Sequence, residues 1–150
     1  MIATPRTFAL AFTGASGMHY GIRLLEKILD SGNNVYLMYS PAAQIVAQQE
    51  MKLTLSSRTK ETEEFLIDRF KAKKGQLRIF GQKEWFAPVA SGSNLVDAMI
   101  ICPCSMGTLA AIAAGLAKNL IERAADVMLK ENQKIILVPR ETPFSAIHLE

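Results

Sequence analysis

Short apolar runs at 8–13, 34–39, 77–80, 98–102 and 134–138 alternate along this chain with stretches of helical periodicity at 17–31, 41–50, 60–72, 105–115, 120–131 and 143–150. A loop is expected over 81–97. Runs this brief and this uniformly apolar read as strands buried on both faces, the state of strands in a helix-covered parallel sheet. The expected fold class is therefore α/β: a doubly wound parallel sheet in a Rossmann-like, three-layer domain. With 150 residues, 49% of them apolar, the chain can bury a real core, and 1–150 is read as a single domain.

The first strand runs straight into a glycine-rich corner, "TFALAFTGASGMHYGIRLLEKIL". Gly14, Gly17 and Gly21 precede and enter a helix whose apolar stripe is Ile22, Leu25 and Leu29 with Leu24 and Ile28. A turn of this kind leaves backbone N–H groups at the positive end of a helix dipole, where phosphate is the usual occupant. The corner lacks the Gly-Lys-Ser/Thr ending of a P-loop, and its spacing is G-x-x-G-x-x-x-G, not the dinucleotide G-x-G-x-x-G. The second strand ends in Tyr39 and Ser40, without the acidic residue that holds the ribose of NAD. A mononucleotide such as FMN remains.

The net charge of +3 and the absence of a Lys/Arg tract speak against nucleic acid. No apolar run approaches the length of a membrane span, and "MIATPRT" lacks a signal-peptide core. The only cysteines, Cys102 and Cys104, read as small buried hydrophobes, with no disulfide and no metal set, which suits a reducing cytoplasm. The charged stretch "SSRTKETEEFLIDRFKAKKG" reads as a solvated outer helix.

A second corner follows the strand at 98–102, where Ser105, Gly107 and Thr108 open another helix. Two such corners at strand ends can cradle one ligand from two sides. A third cluster is charged. Arg123 and Lys130 lie two turns apart on one helix face, and Arg140-Glu141 follow the last strand, ahead of a helix expected to start with Thr142 as N-cap and Pro143 at its first position. Several cations and carboxylates at one sheet edge would suit a phosphate-rich ligand.

The blocks "TGASG", "ASGS", "CPCSMGTLAAIAAG", "NLIERAADVMLKE" and "VPRETPFSAIHLE" occur in the order and at the separations of the UbiX-type flavin prenyltransferases, which this sequence resembles over essentially its whole length. The resemblance implies a flavoprotein in which dimethylallyl phosphate alkylates reduced FMN at N5 and then C6, without metal. The product would serve decarboxylases of the UbiD type. It implies that Gly14, Ala15, Ser16, Ser40, Ser105, Met106, Gly107, Thr108, Arg123 and Arg140 bind FMN. Trp85, Ser91, Gly92 and Lys130 would bind the prenyl substrate. Ser16, Glu50, Lys130 and Glu141 would be catalytic: Ser16 with Glu50 shuttles the flavin proton, and Glu141 protonates the departing phosphate. Lys130, Arg123 and Arg140 stabilise the phosphate anion, and the Trp85 face the developing allyl cation.

The resemblance further implies a homo-oligomer, a dodecamer built from trimers, with active sites at subunit junctions. The "MGTLAAIAAGLAKNL" helix is small and apolar enough for close approach between chains. The family's pattern continues past "HLE" by a few dozen residues that supply a Tyr and a basic residue for the prenyl phosphate, so the natural protein is expected to extend beyond Glu150. Two rival readings are an FMN-dependent cysteine-type decarboxylase, which would carry a "PASANT"-like loop where this chain has "CPCSMGT", and a flavin-binding protein without catalysis.

Overall fold

The structure, a computed structural model, describes residues 3–150. Five strands, β1 (Thr7–Phe12), β2 (Asn34–Tyr39), β3 (Leu77–Ile79), β4 (Ala98–Cys104) and β5 (Ile135–Pro139), form one all-parallel sheet in the order β3-β2-β1-β4-β5. Five helices accompany them: α1 (Met18–Asp30), α2 (Pro41–Met51), α3 (Thr59–Phe70), α4 (Met106–Ala113) and α5 (Leu120–Lys130). The α/β, Rossmann-like class is as expected.

Two core clusters lie on opposite faces of the sheet. One joins the stripe of α1 (Met18, Ile22, Leu25, Leu29) to Leu10, Leu37 and Ile100, with Ala43 and Ala47 of α2 and Leu66 of α3. The other packs Ile112 of α4 and Leu120, Ile121, Ala124 and Met128 of α5 on Ala9, Ala11, Met99 and Ile101. Each fully buried Leu or Ile contributes about 1.5–3 kcal/mol. The connection 81–97 holds only a short 3₁₀ turn, Pro88–Ala90, whose Val89 and Ala90 join the second cluster.

The expected cover on both faces fails at one edge. The register aligns Ile79, Leu37, Leu10, Ile100 and Ile136 in a row across the sheet. The first four are 4%, 0%, 0% and 8% exposed, and Ile136 is 43% exposed. α1 packs over β1, β2 and β4, whereas the helices that contact β5, α4 and α5, belong to the core on the opposite face.

The expected helix 143–150 is also corrected. Ala146–Leu149 forms a single 3₁₀ turn capped by Ser145, whose N–H donates to His148 Nδ1 at 3.1 Å. Thr142 caps nothing; its hydroxyl donates to the Glu141 carbonyl at 2.7 Å. Phe144, Ile147 and Leu149 are exposed. A short helix without a buried face has too little to offset the cost of nucleation, and so the Thr-Pro start signal is not followed.

Candidate functional site

In this strand order the chain leaves β1 toward β2 and leaves β4 toward β5. The adjacent carboxyl ends of β1 and β4 therefore flank the crevice where open α/β sheets bind ligands. Both corners singled out in the sequence, 14–17 and 105–108, stand at this point. They are joined through Thr13, whose hydroxyl donates to the Pro103 carbonyl (2.8 Å) and accepts from the Ser105 N–H (2.8 Å). Sequence reasoning passed over Thr13, because a buried hydroxyl in an apolar run carries no signal of its own.

The first corner differs from expectation in one respect. Its helix-start N–H groups are not free, because the Glu50 carboxylate occupies them. Gly17 N–H donates to both Glu50 oxygens (3.1 Å each), Met18 N–H to Oε2 (2.9 Å), and the Ser16 hydroxyl to Oε1 (2.5 Å). Gly17 has φ +112°, a conformation that suits glycine and turns successive N–H groups toward one anion. Glu50 comes from the end of α2, a position invisible to local pattern. The Ser16 hydroxyl bond is the main cause holding its carboxyl below the ordinary carboxylate range; burial opposes this, and the Met18 and Gly17 N–H groups and nearby His19 assist. Gly14, Ala15 and Ser16 keep N–H groups with no protein partner among the described residues.

Close packing explains Gly21, where a Cβ would lie 2.5 Å from the Cys102 carbonyl oxygen. Ser40 ends β2 as the N-cap of α2, its Oγ accepting from Ala43 N–H at 3.1 Å.

At the second corner Ser105 caps α4. Its Oγ accepts from Thr108 N–H (3.1 Å) and lies 2.9 Å from the Thr108 hydroxyl. Met106 and Gly107 N–H, in the same first turn, have no partner among the described residues. Arg140 and Glu141 follow β5 on this edge, with Arg140 N–H on the Cys104 carbonyl (3.3 Å). A 200 Å³ cavity lies between the first corner and β5, lined by Ser16, Tyr20, Cys102, Pro103, Val138 and Arg140 among others.

The remaining candidates sit elsewhere in the chain. α5 runs antiparallel to the strands, beginning at the carboxyl edge, where Leu120 N–H donates to the Gln82 carbonyl (2.9 Å), and ending near the amino edge. Arg123, one turn in, donates to the Ala90 carbonyl (3.2 Å) and pairs with Asp126 (3.2 Å). Lys130 lies 3.8 Å from Glu131, just before β5 starts beside the amino end of β4. Gly92 packs against Glu131, and Ser91 Oγ pairs with Ser93 Oγ (2.8 Å). Within one chain Arg123 and Arg140 therefore lie toward the carboxyl edge, while Lys130 lies toward the opposite one. The seven residues of β4 put about 20 Å between its two ends. Trp85, 45% exposed, stands on the loop after β3 and is not enclosed.

Both cysteines are free and buried; burial pushes both thiols up, Cys104 to about 11. Among the described residues no acidic, His or Cys cluster could hold a metal ion, and no helix is long and apolar enough to cross a membrane.

The chain matches the Flavoprotein family over residues 3–149. It is 51% identical over 146 residues to the flavin prenyltransferase UbiX of Pseudomonas aeruginosa, covering 97% of this chain and 70% of that one. Among solved structures it is similar to AnUbiX (PadA1) in complex with FMN and dimethylallyl pyrophosphate, with TM-score 0.82 and 37% identity over 97% of this chain and 70% of that one. It is also similar to a dodecameric FMN-dependent UbiX-like decarboxylase from Escherichia coli O157:H7, with TM-score 0.80 and 35% identity over 95% of this chain and 71% of that one.

Proposed function

Because this chain belongs to the Flavoprotein family and, within it, to the UbiX flavin prenyltransferases, we propose that it transfers a dimethylallyl group from dimethylallyl phosphate to reduced FMN. The observation that carries the proposal is one cavity at the switch point lined by both Arg140 and Ser16, whose hydroxyl donates to Glu50 behind it. The residues present fit FMN. Unpartnered N–H groups at 14–16 and at 106–107, with the hydroxyls of Ser40, Ser105 and Thr108, offer donors to a phosphate and a ribityl chain. Since Glu50 already satisfies Gly17 and Met18, the phosphate belongs at the α4 corner. Bound and reduced, the flavin supplies nucleophilic N5 and C6 positions.

The chain's own groups then have these roles. The apolar wall of Tyr20, Cys102, Pro103 and Val138 excludes water around the five-carbon group. Arg140 clamps the donor's phosphate, and Glu141 beside it gives a proton to the phosphate oxygen as it departs. Ser16 lies one proton hop from the Glu50 carboxylate, which is held charged and ready to accept. Lys130, Ser91 and Gly92 reach these groups only from another copy, as does the open Trp85 ring. The working form in this reading is a homo-oligomer, a dodecamer like the Escherichia coli relative, acting in the cytoplasm and handing its product to a UbiD-type decarboxylase.

The test is anaerobic incubation of the protein with reduced FMN and dimethylallyl phosphate. A flavin product with a shifted absorption spectrum and mass increased by the five-carbon group is expected. Bound flavin that stays unmodified would reduce the protein to a flavin carrier.

A further inference from the structure

We infer that Thr13 is a positioning residue for the cofactor site, the buried clamp that fixes the two corners in register across the switch point. The inference rests on the reading that these corners hold one flavin. Thr13 is the last residue before Gly14, 1% exposed, and turns both its N–H and its hydroxyl on the neighbouring strand's exit. Its N–H and its hydroxyl both donate to the Pro103 carbonyl (3.2 and 2.8 Å), and the same hydroxyl oxygen accepts from Ser105 N–H (2.8 Å).

Ser105 is the residue that caps α4 through Thr108 N–H. One hydroxyl therefore ties the Gly14–Ser16 loop to the start of the helix that offers its first-turn N–H groups. β1 and β4 pair in register only as far as Ala11 and Ile101, and beyond that point the Thr13 N–H to Pro103 carbonyl bond is the main-chain link between them among the described residues. Beyond the end of the ladder, Thr13 supplies the side-chain contact between them. Its neighbour Phe12 performs the matching task toward β2, where Ser40 N–H donates to the Phe12 carbonyl at 3.1 Å.

Removing the hydroxyl leaves Ser105 N–H without its partner and lets the α4 corner shift relative to 14–16. A ligand that needs both corners then binds to a site that is correct only part of the time. Val is nearly isosteric with Thr; it keeps the main-chain bond to the Pro103 carbonyl and loses both hydroxyl bonds. Ser keeps both bonds and loses only the methyl group.

Thr13→Val, Thr13→Ser and Thr13→Cys, with Ile28→Ala as a buried control at the far end of α1, test the inference in the intact protein. Measured by fluorescence titration, the FMN dissociation constant should rise about tenfold in Thr13→Val and Thr13→Cys. It should change less than about threefold in Thr13→Ser. Ile28→Ala should melt lower and keep its flavin affinity. Hydrogen exchange at Ser105 gives a reading that does not need flavin: its amide should lose protection in the Val and Cys variants and retain it in the Ser variant. Unchanged affinity and protection in Thr13→Val and Thr13→Cys, or equal losses in Thr13→Ser, would overturn the clamp. Equal flavin loss in Ile28→Ala would show a general effect of stability and overturn it too. If Thr13→Val does not fold, the Cys–Ser pair decides. Failure of the unaltered protein to bind FMN would sink the functional reading, and Ser105 exchange would still decide the clamp.

Discussion

Glu50→Gln should cost about 1–2 kcal/mol of stability at neutral pH, and the cost should vanish in acid. The carboxylate takes two backbone N–H groups at 2.9–3.1 Å and the Ser16 hydroxyl at 2.5 Å. The amide retains one acceptor oxygen but turns an NH₂ toward a donor, so at least one contact is lost. The negative charge on the α1 N-terminus disappears, worth about 0.3–1 kcal/mol, and a lost cap contributes about 1 kcal/mol. The site is partly open to water, which takes over the released donors and keeps the total from rising further. For a chain of this length each kcal/mol is about 2–4 °C, so the melting temperature should fall by roughly 2–8 °C. Glu50 titrates below its unfolded value in the folded protein, chiefly because Ser16 donates to it. Its contribution is therefore complete above the unfolded carboxyl pKa of about 4.3 and is lost as pH falls through the lower folded value. Calorimetric melts of both proteins from pH 7 to pH 3.5 should show a constant gap down to about pH 5, closing below it. A gap that is absent at pH 7, or that widens on acidification, would refute the assignment of Glu50 as a charged cap.

Glu141→Gln should bind FMN as the unaltered protein does and lose most single-turnover prenylation; a near-normal rate would remove Glu141 from the proton-transfer role. Because Thr142 starts no helix, this variant should not melt measurably lower. Cys102 and Cys104, buried and with thiols pushed up in pKa, should resist a disulfide reagent at pH 8 in the folded protein and react on unfolding. Rapid stoichiometric labelling of the native protein would contradict their burial.

The sequence by itself determined the alternation of elements, and hence the class of fold. Apolar runs such as Phe8–Phe12 and the stripe Ile22-Leu25-Leu29 are local patterns whose period is set by the backbone, so they are legible without partners. The helix-start chemistry of Ser105 was legible for the same reason. Tertiary structure decided which strand ends meet, because strand order is a long-range property: only the placement of β4 beside β1 makes one crevice of two corners 92 positions apart at Thr13 and Ser105. It also decided that Glu50, from α2, fills the N–H groups that local reasoning left open. It put Lys130 at the far edge, since a helix covering a sheet must span its height and carries its last residues away from the strand ends. Where local signals met no burial, as at Thr142–Glu150, the turn signal did not become a helix, because helices this short are held by packing that exposed Ile147 and Leu149 do not have.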